Sequence, residues 1–303
     1  MYKFVYKNIE IKGNIPIASL SSLNVGGKAL FFTEVFNLEQ LKTAFSFARE
    51  RALRIFFLGD GTNILFSDRF FPFFLIKNSI KGIKKLSERK VEVFAATSLG
   101  EFLDFLEKEE LKGYEELSGI PGSVGGAVYG NAGAFGREIK DYIEKVISIT
   151  KEGESIEREK SKLRFAYRWS LYKEKNEFIY KIIFKLPKGE KSEISKKRKE
   201  IIEYRKKRLP ENPPKVKSAG SFFKNILLPD GKKIAVGAIL EKIGAKNIRV
   251  GDAAVSQKHA NFLINTGKAN ASDFIKLSSL LKQKVKEEGY EIEEEVIIVD
   301  RMF

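Results

Sequence analysis

The chain has 303 residues, and its 55 Lys and Arg against 40 Asp and Glu give a formal net charge of +15, which suits an anionic partner; the length allows two or three domains. With 43% hydrophobic and 31% charged residues it is too apolar for a disordered chain, and no apolar run approaches the ~20 residues that span a bilayer. The absence of cysteine and the single histidine, His259, exclude disulfides, thiolate nucleophiles, iron–sulfur clusters, cysteinyl cofactor attachment and a His-rich metal site, so no metal is expected.

Residues 1–14 carry scattered charges and no apolar block before a small-residue cleavage site, so a cytoplasmic protein is expected. Leu38, Leu41, Phe45 and Ala48 recur at helical spacing within 37–51, and RIFFLG after them reads as a strand ending at Gly59. Strands are expected over Phe73–Lys77 and Val91–Ala96. The stretch 97–113 reads as a helix, with Ser98 and Glu101 spaced as a capping box and Gly113 as its stop. Strands come next over Tyr142–Ile149 and Phe178–Leu186. From Lys188 to Lys217 twelve Lys and Arg face five Glu; SEISKKRKEIIEYRKKR within that run predicts a helix with Ile194, Ile201, Ile202 and Tyr204 on or near one face and the charges solvated. A nucleic-acid arm is disfavoured, because no aromatic interleaving or recognition-helix motif accompanies the charge. The Pro-rich turn LPENPPK, Leu209–Lys215, ends that helix and marks a domain boundary. A last helix is expected from Ser272 to Gly289 and a strand over Val296–Val299. Strands alternating with helices indicate a mixed α/β chain.

Three glycine clusters stand out: NVGGKA (Asn24–Ala29), LGDGTNIL (Leu58–Leu65) and SGIPGSVGGAVYGNAGAFG (Ser118–Gly136). Each of the short ones alone reads as a turn. Seven glycines in the nineteen residues of the third describe a backbone wrapped closely around a partner, such as a cofactor with a diphosphate. None is a G-x-G-x-x-G fingerprint or a P-loop, which disfavours a nicotinamide-only Rossmann enzyme and a P-loop ATPase and leaves a loop-bound flavin.

The third cluster resembles the flavin-binding signature of the UDP-N-acetylenolpyruvoylglucosamine reductase family. LGDGTNIL is similar to that family's first flavin loop, YRWSLYK (Tyr167–Lys173) to its Tyr-Arg-x-Ser motif and SAGSFFKN (Ser218–Asn225) to its serine motif, with GDAAVSQKHANFLIN (Gly251–Asn265) and IEEEV (Ile292–Val296) completing the set in order. The likeness runs from Asn24 to Val296 and is to the shorter family type. Asp60 and Thr62 stand at the loop's variable and serine positions, and Ile226 and Glu294 where proline is common.

The resemblance implies an α+β protein: an FAD-binding domain of two α/β subdomains (1–76 and 77–208) in the vanillyl-alcohol-oxidase-like flavin fold, and a C-terminal α+β substrate lobe (209–303). It implies noncovalent FAD, NADPH as co-substrate, and reduction of the enolpyruvyl ether of UDP-N-acetylglucosamine enolpyruvate to UDP-N-acetylmuramate in peptidoglycan precursor synthesis. Cofactor contacts are expected at Gly59, Gly61, Thr62 and Asn63, and at Ser118, Gly119, Gly122, Ser123, Gly125, Gly126, Asn131, Ala132 and Gly133. Arg168, whose guanidinium fork suits a carboxylate, Ser221 as proton donor and Glu295 are the implied catalytic residues. Tyr167, Lys215, Lys217, Lys224 and Asn225 are expected against the substrate, and His259 as a structural residue of the lobe. A monomer with neither nucleic-acid nor membrane partners is expected. Another flavin oxidase or dehydrogenase of the same fold, or a polyanion-binding protein built on the basic helix, remains open at this point.

Overall fold

The computed structural model describes residues 1–212 and 215–300, so Pro213 and Pro214 of the Pro-rich turn lie outside the described residues. The chain divides into two compact units, Met1–Asn14 with Leu30–Asp60 and Pro72–Arg205, and Ile15–Ala29 with Gly61–Phe71 and the chain from Lys206 onward. No helix among the described residues is long and apolar enough to cross a membrane.

The first unit draws on two five-stranded sheets. One runs in the spatial order Tyr2–Tyr6, Ile9–Pro16, Lys28–Val35, Phe70–Asn78, Arg54–Leu58, the last pair parallel. Helix α1 (Leu38–Glu50) is capped by the Asn37 side chain, which accepts from Gln40 N at 2.9 Å. It buries Leu41, Ala44, Phe45, Phe47 and Ala48 in one core with Ile11, Val35, Phe74 and Ile76. The apolar spacing in the sequence is thus the helix's core face. The other sheet runs Ser155–Glu159, Ile143–Ile149, Phe178–Lys185, Lys90–Phe94, Ile83–Lys85, each pair antiparallel.

Helices α2 (Leu99–Lys108), α3 (Val124–Gly130) and α4 (Lys191–Arg208) belong to this second half of the unit. Its core joins Val91, Val93, Phe102, Leu106, Val124, Val128, Val146 and Phe184, each such burial contributing roughly 1.5–3 kcal/mol before entropy is counted. The α2 capping box forms as expected, Ser98 and Glu101 bonding reciprocally. The helix nevertheless ends at Lys108 rather than near Gly113, because Glu110 takes a left-handed φ of 56° and Leu111 turns out to bridge Lys188.

The face of α4 that holds Ile194 and Ile201 is not simply apolar with solvated charge around it. Arg198, whose side chain is 12% exposed, donates to Asp104 at 2.6 Å, to Glu107 and to the Leu103 carbonyl at 3.1 Å. Ile194, Arg198, Ile201 and Arg205 share one helical stripe, so the basic run docks by two arginines and two isoleucines and solvates the rest.

The second unit contains the antiparallel order Lys217–Ser221, Phe262–Asn265, Ala253–Val255, Arg249–Val250, with α5 (Val236–Lys242) and α6 (Ala271–Glu287). Asn270 and Asp273 form the α6 capping box, starting that helix one residue before Ser272. A parallel pair sets Ile64–Phe66 beside Ile297–Val299. Asn265 Nδ2 donates to Leu23 O at 3.1 Å, and the Asp68 carboxylate accepts from Ala271 N at 3.0 Å. These bonds explain why residues 15–29 and 61–71 cluster with the C-terminal part. Leu23, Val25 and Leu65 share its core with Phe222, Phe223, Leu240, Phe274 and Leu281.

Candidate active site

In the segment Leu58–Leu65, Gly61 has a φ of 65° and a Cβ there would lie 2.0 Å from the Leu20 carbonyl oxygen, so this residue must be glycine. Its carbonyl accepts from Ser22 N at 3.0 Å. The main-chain N–H groups of Asp60, Gly61, Thr62 and Asn63 donate to no protein acceptor among the described residues. Four successive unspent donors form the kind of loop that binds an anion, and they fit a diphosphate. Burial pushes the Asp60 carboxyl above its ordinary range, against the pull of Lys81 and Lys77. The Asn63 side chain does something else: its Nδ2 donates to the Glu295 carbonyl at 3.2 Å, while the Asn63 main-chain carbonyl accepts from Ile297 N at 3.1 Å.

The segment Ser118–Gly136 uses its backbone differently. Val124 N donates to Thr97 O at 2.9 Å, Gly125 N to Ala95 O at 2.7 Å and Gly126 N to the Ser123 hydroxyl at 3.2 Å. The opening N–H groups of α3 are therefore spent inside the protein. A Cβ on Gly125 would come 2.7 Å from Ala95 Cβ, so this glycine lets α3 pack tightly on the chain just beyond the Lys90–Phe94 strand. The Gly122 carbonyl accepts from Leu99 N, and the buried Ser118 hydroxyl from Arg198 Nε. Gly59 abuts the same turn, a Cβ there lying 3.1 Å from Ser123 Oγ.

Asn131 ends α3 in a left-handed conformation, fully buried. Its Nδ2 donates to Ala166 O at 2.8 Å and to Glu138 at 3.1 Å, while its Oδ1 has no partner among the described residues. An orphaned buried acceptor fits a cofactor that carries N–H groups. Ala132 N donates to Ala127 O.

Gly133 connects this segment to Arg168, whose Nη2 donates to its carbonyl at 2.9 Å. Ala166 and Trp169 exchange both backbone bonds at 3.1 Å, so Tyr167 and Arg168 form the tip of a two-residue hairpin. Arg168 sits there at a φ of 54°, a conformation costing on the order of 1 kcal/mol that Asn131 and Gly133 help to hold. Its guanidinium lies 5.0 Å from the Tyr167 ring centre. Ser170, buried, donates to Tyr129 O at 2.8 Å.

In the second unit Ser221 ends the Lys217–Ser221 strand after a register shift, opposite Phe262. The buried Asn261 clamps the two residues that follow Ser221: its carbonyl accepts from Phe222 N at 2.7 Å, its Oδ1 from Phe223 N at 3.0 Å, and its Nδ2 donates to Phe223 O at 2.9 Å. The Phe222 carbonyl in turn accepts from Glu295 N at 2.8 Å, and Phe223 bridges Glu294. Ser221 and Glu295 are thereby brought together through the residue between them. Burial pushes the Glu294 carboxyl up, but bonds from Ser278 at 2.8 Å and Lys282 at 3.0 Å prevail and hold it below the usual carboxylate range.

The expected substrate residues are dispersed in what they touch. Lys224 pairs with Glu293 at 2.9 Å, Lys215 with Glu211 at 3.5 Å, and the Asn225 Oδ1 accepts from Val236 N at 3.2 Å. Lys217 lies opposite Asn265 in the sheet. His259 accepts from Asn261 N through Nδ1 at 3.2 Å and packs on Phe262, and burial holds its pKa below the ordinary histidine value. Asn261, Glu294 and the carbonyl-binding role of Asn63 were not anticipated; only the His-Ala-Asn-Phe run around Asn261 carried a signal.

Two family models match the chain. Residues 30–158 match an FAD binding domain, and residues 212–299 the C-terminal domain of UDP-N-acetylenolpyruvoylglucosamine reductase. The UDP-N-acetylenolpyruvoylglucosamine reductase of Carboxydothermus hydrogenoformans is 40% identical over 280 residues, covering 90% of this chain and 88% of its own. The Aquifex aeolicus enzyme of that name is 36% identical over 292 residues, covering 95% and 94%. The crystal structure of UDP-N-acetylenolpyruvylglucosamine reductase from Thermus caldophilus superposes with a TM-score of 0.77 at 29% identity, covering 97% of this chain and 99% of that one.

Proposed function

Because the chain belongs to the UDP-N-acetylenolpyruvoylglucosamine reductase family, we propose that Arg168, Ser221 and Glu295 carry out that family's reaction here. The protein is an FAD-dependent oxidoreductase that uses NADPH to convert UDP-N-acetylglucosamine enolpyruvate to UDP-N-acetylmuramate in peptidoglycan precursor synthesis. Noncovalent FAD supplies the hydride relay between NADPH and the substrate.

The chain's own residues have three tasks. Hydride arriving at the substrate's methylene carbon leaves negative charge on the neighbouring carbon and its carboxylate, and the Arg168 guanidinium, braced on the Gly133 carbonyl, meets that charge with fixed donors. The Ser221 hydroxyl gives the proton to that carbon. Glu295 holds the enolate-like species by hydrogen bonding. The bond from Glu295 N to Phe222 O is the observation that supports this pairing. Gly59 to Asn63 and Ser118 to Gly133 frame the cofactor, the first by N–H donors and the second by shape and the Asn131 acceptor. Tyr167, Lys215, Lys217, Lys224 and Asn225 serve the substrate and its diphosphate. A functional division at 76/77 and 208/209, a cytoplasmic location and a monomer without nucleic-acid or membrane partners complete the proposal.

Stopped-flow absorbance tests it. Ser221→Ala and Glu295→Gln leave flavin reduction by NADPH nearly unchanged and slow flavin reoxidation by the enolpyruvyl substrate about 10²- to 10⁴-fold, the range for a positioned proton donor. Equal slowing of both halves would assign these residues to the flavin pocket instead. Arg168→Lys, which keeps the charge and loses the fork, substantially lowers turnover.

A further inference from the structure

Three arginines drawn partly into the first unit have carboxylate partners. Arg158 and Glu177 form a fork at 2.6 and 2.8 Å, Arg137 pairs with Asp141 at 3.1 Å, and Arg198 with Asp104 and Glu107. Arg205, on the same stripe of α4 as Arg198, has no carboxylate partner among the described residues. Among them its Nε is buried without a partner, and its Nη2 reaches only the Glu116 carbonyl, at 3.5 Å. Burial accordingly lowers its pKa, where pairing helps to raise those of Arg137 and Arg158.

A cation with a buried, unmet donor is costly unless something absent from the folded chain meets it. The surroundings of Arg205 indicate what that is. Its guanidinium lies 5.5 Å from the ring centre of Phe135, and a Cβ on Gly119 would lie 3.0 Å from its Cδ. Gly119 and Phe135 sit near the two ends of the Ser118–Gly136 segment, so α4 inserts one uncompensated charge between them. Tyr204, the preceding residue, packs edge-on against Phe135 at 5.3 Å. Lys196, Lys199, Lys206 and Lys207 on the same helix are exposed.

We propose that Arg205 is an additional cofactor-binding residue, its guanidinium donating to an anionic or carbonyl oxygen of FAD. This rests on the flavoenzyme reading above. The test compares Arg205→Met with Lys207→Met, which removes the same charge from an exposed position of the same helix, each purified as holoenzyme. FAD release on dilution, read by recovery of flavin fluorescence, gives the dissociation constant. The expected result is a dissociation constant raised at least about tenfold in Arg205→Met, as for one lost charge-assisted hydrogen bond, and unchanged in Lys207→Met. If Arg205→Met does not fold, Arg205→Gln, which keeps the stem and a polar head, carries the same criterion. Wild-type FAD affinity in a normally melting variant overturns the proposal, and a raised KM for NADPH or the UDP-sugar in that variant would give the cation to that ligand. A wild-type protein that holds no FAD would instead defeat the flavoenzyme reading itself.

Discussion

The two glycine-rich segments Leu58–Leu65 and Ser118–Gly136 resemble each other in composition and differ in what their backbones do. Among the described residues the short one leaves the N–H groups of Asp60 to Asn63 unspent, whereas the long one spends those of Val124, Gly125 and Gly126 on Thr97, Ala95 and Ser123. Glycine density therefore does not distinguish a loop with unspent donors from a packing contact; an account of donors and of the space for a Cβ does. In the longer segment, the buried Asn131 Oδ1 is left without a partner among the described residues and the Gly133 carbonyl braces Arg168.

Substitutions can break this contrast, the largest effect coming from Gly61→Ala. Its Cβ would meet the Leu20 backbone at 2.0 Å in a left-handed conformation, so the donor loop is displaced. FAD affinity is expected to fall by about 100-fold or more, two charge-assisted bonds' worth, and the purified protein loses its flavin absorbance. Full retention of flavin would remove the loop from the cofactor site. Gly125→Ala acts through packing: with Ala95 Cβ at 2.7 Å and Ala95 O at 3.0 Å, about 1–3 kcal/mol of stability is lost. Thermal melting reports this, while the folded fraction binds FAD normally; weakened FAD binding at unchanged Tm would contradict the packing role.

Asp60→Asn sharpens the contrast through pH. Because burial raises the Asp60 pKa, the carboxyl ionises at a higher pH than an ordinary aspartate does. Ionisation then sets a negative charge in an anion-binding loop, and the stability associated with the neutral form is lost over the same rise. FAD affinity of the wild type is expected to decline a few-fold, roughly, as pH rises through the raised Asp60 pKa, and to be flat in Asp60→Asn. A slope that persists in the variant would point to another group. The smallest effect is that of Gly130→Ala, where nothing lies within 4 Å of the added Cβ. Helix propensity makes it stabilising by about 0.5–1 kcal/mol, with normal flavin content, and a loss of either would show that α3 is needed for more than packing.

The local elements were legible where one short-range signal decides them. Asn37 and the Leu38–Ala48 spacing fix α1, and Ser98 with Glu101 fixes the start of α2. The end of α2 was not, because Leu111 leaves the helix to bridge Lys188, 77 positions on by residue number, and no local pattern encodes that exchange. The charges of the basic run read as solvated because charge alone does not show that Arg198 finds Asp104 and Glu107, or that Arg205 finds no carboxylate among the described residues. Candidate site residues were legible as motifs, but their divided labour was not: Asn63, in a cofactor loop by pattern, uses its side chain on Glu295.

That last bond spans 232 positions, and it matters for how the protein is made. On the ribosome Ile64–Phe66 is made well before its parallel partner Ile297–Val299, with all of the intervening chain synthesised between them. The first unit's Pro72–Arg205 stretch can gather its own core while the tunnel still holds the remainder. The donor loop, by contrast, waits for Glu295 and Ile297 to be born before its far end is tied down, a closure of high sequence separation that is intrinsically slow. Ribosomes stalled shortly before Glu295 would thus display a nascent chain whose Gly61–Asn63 loop is still untied at its far end.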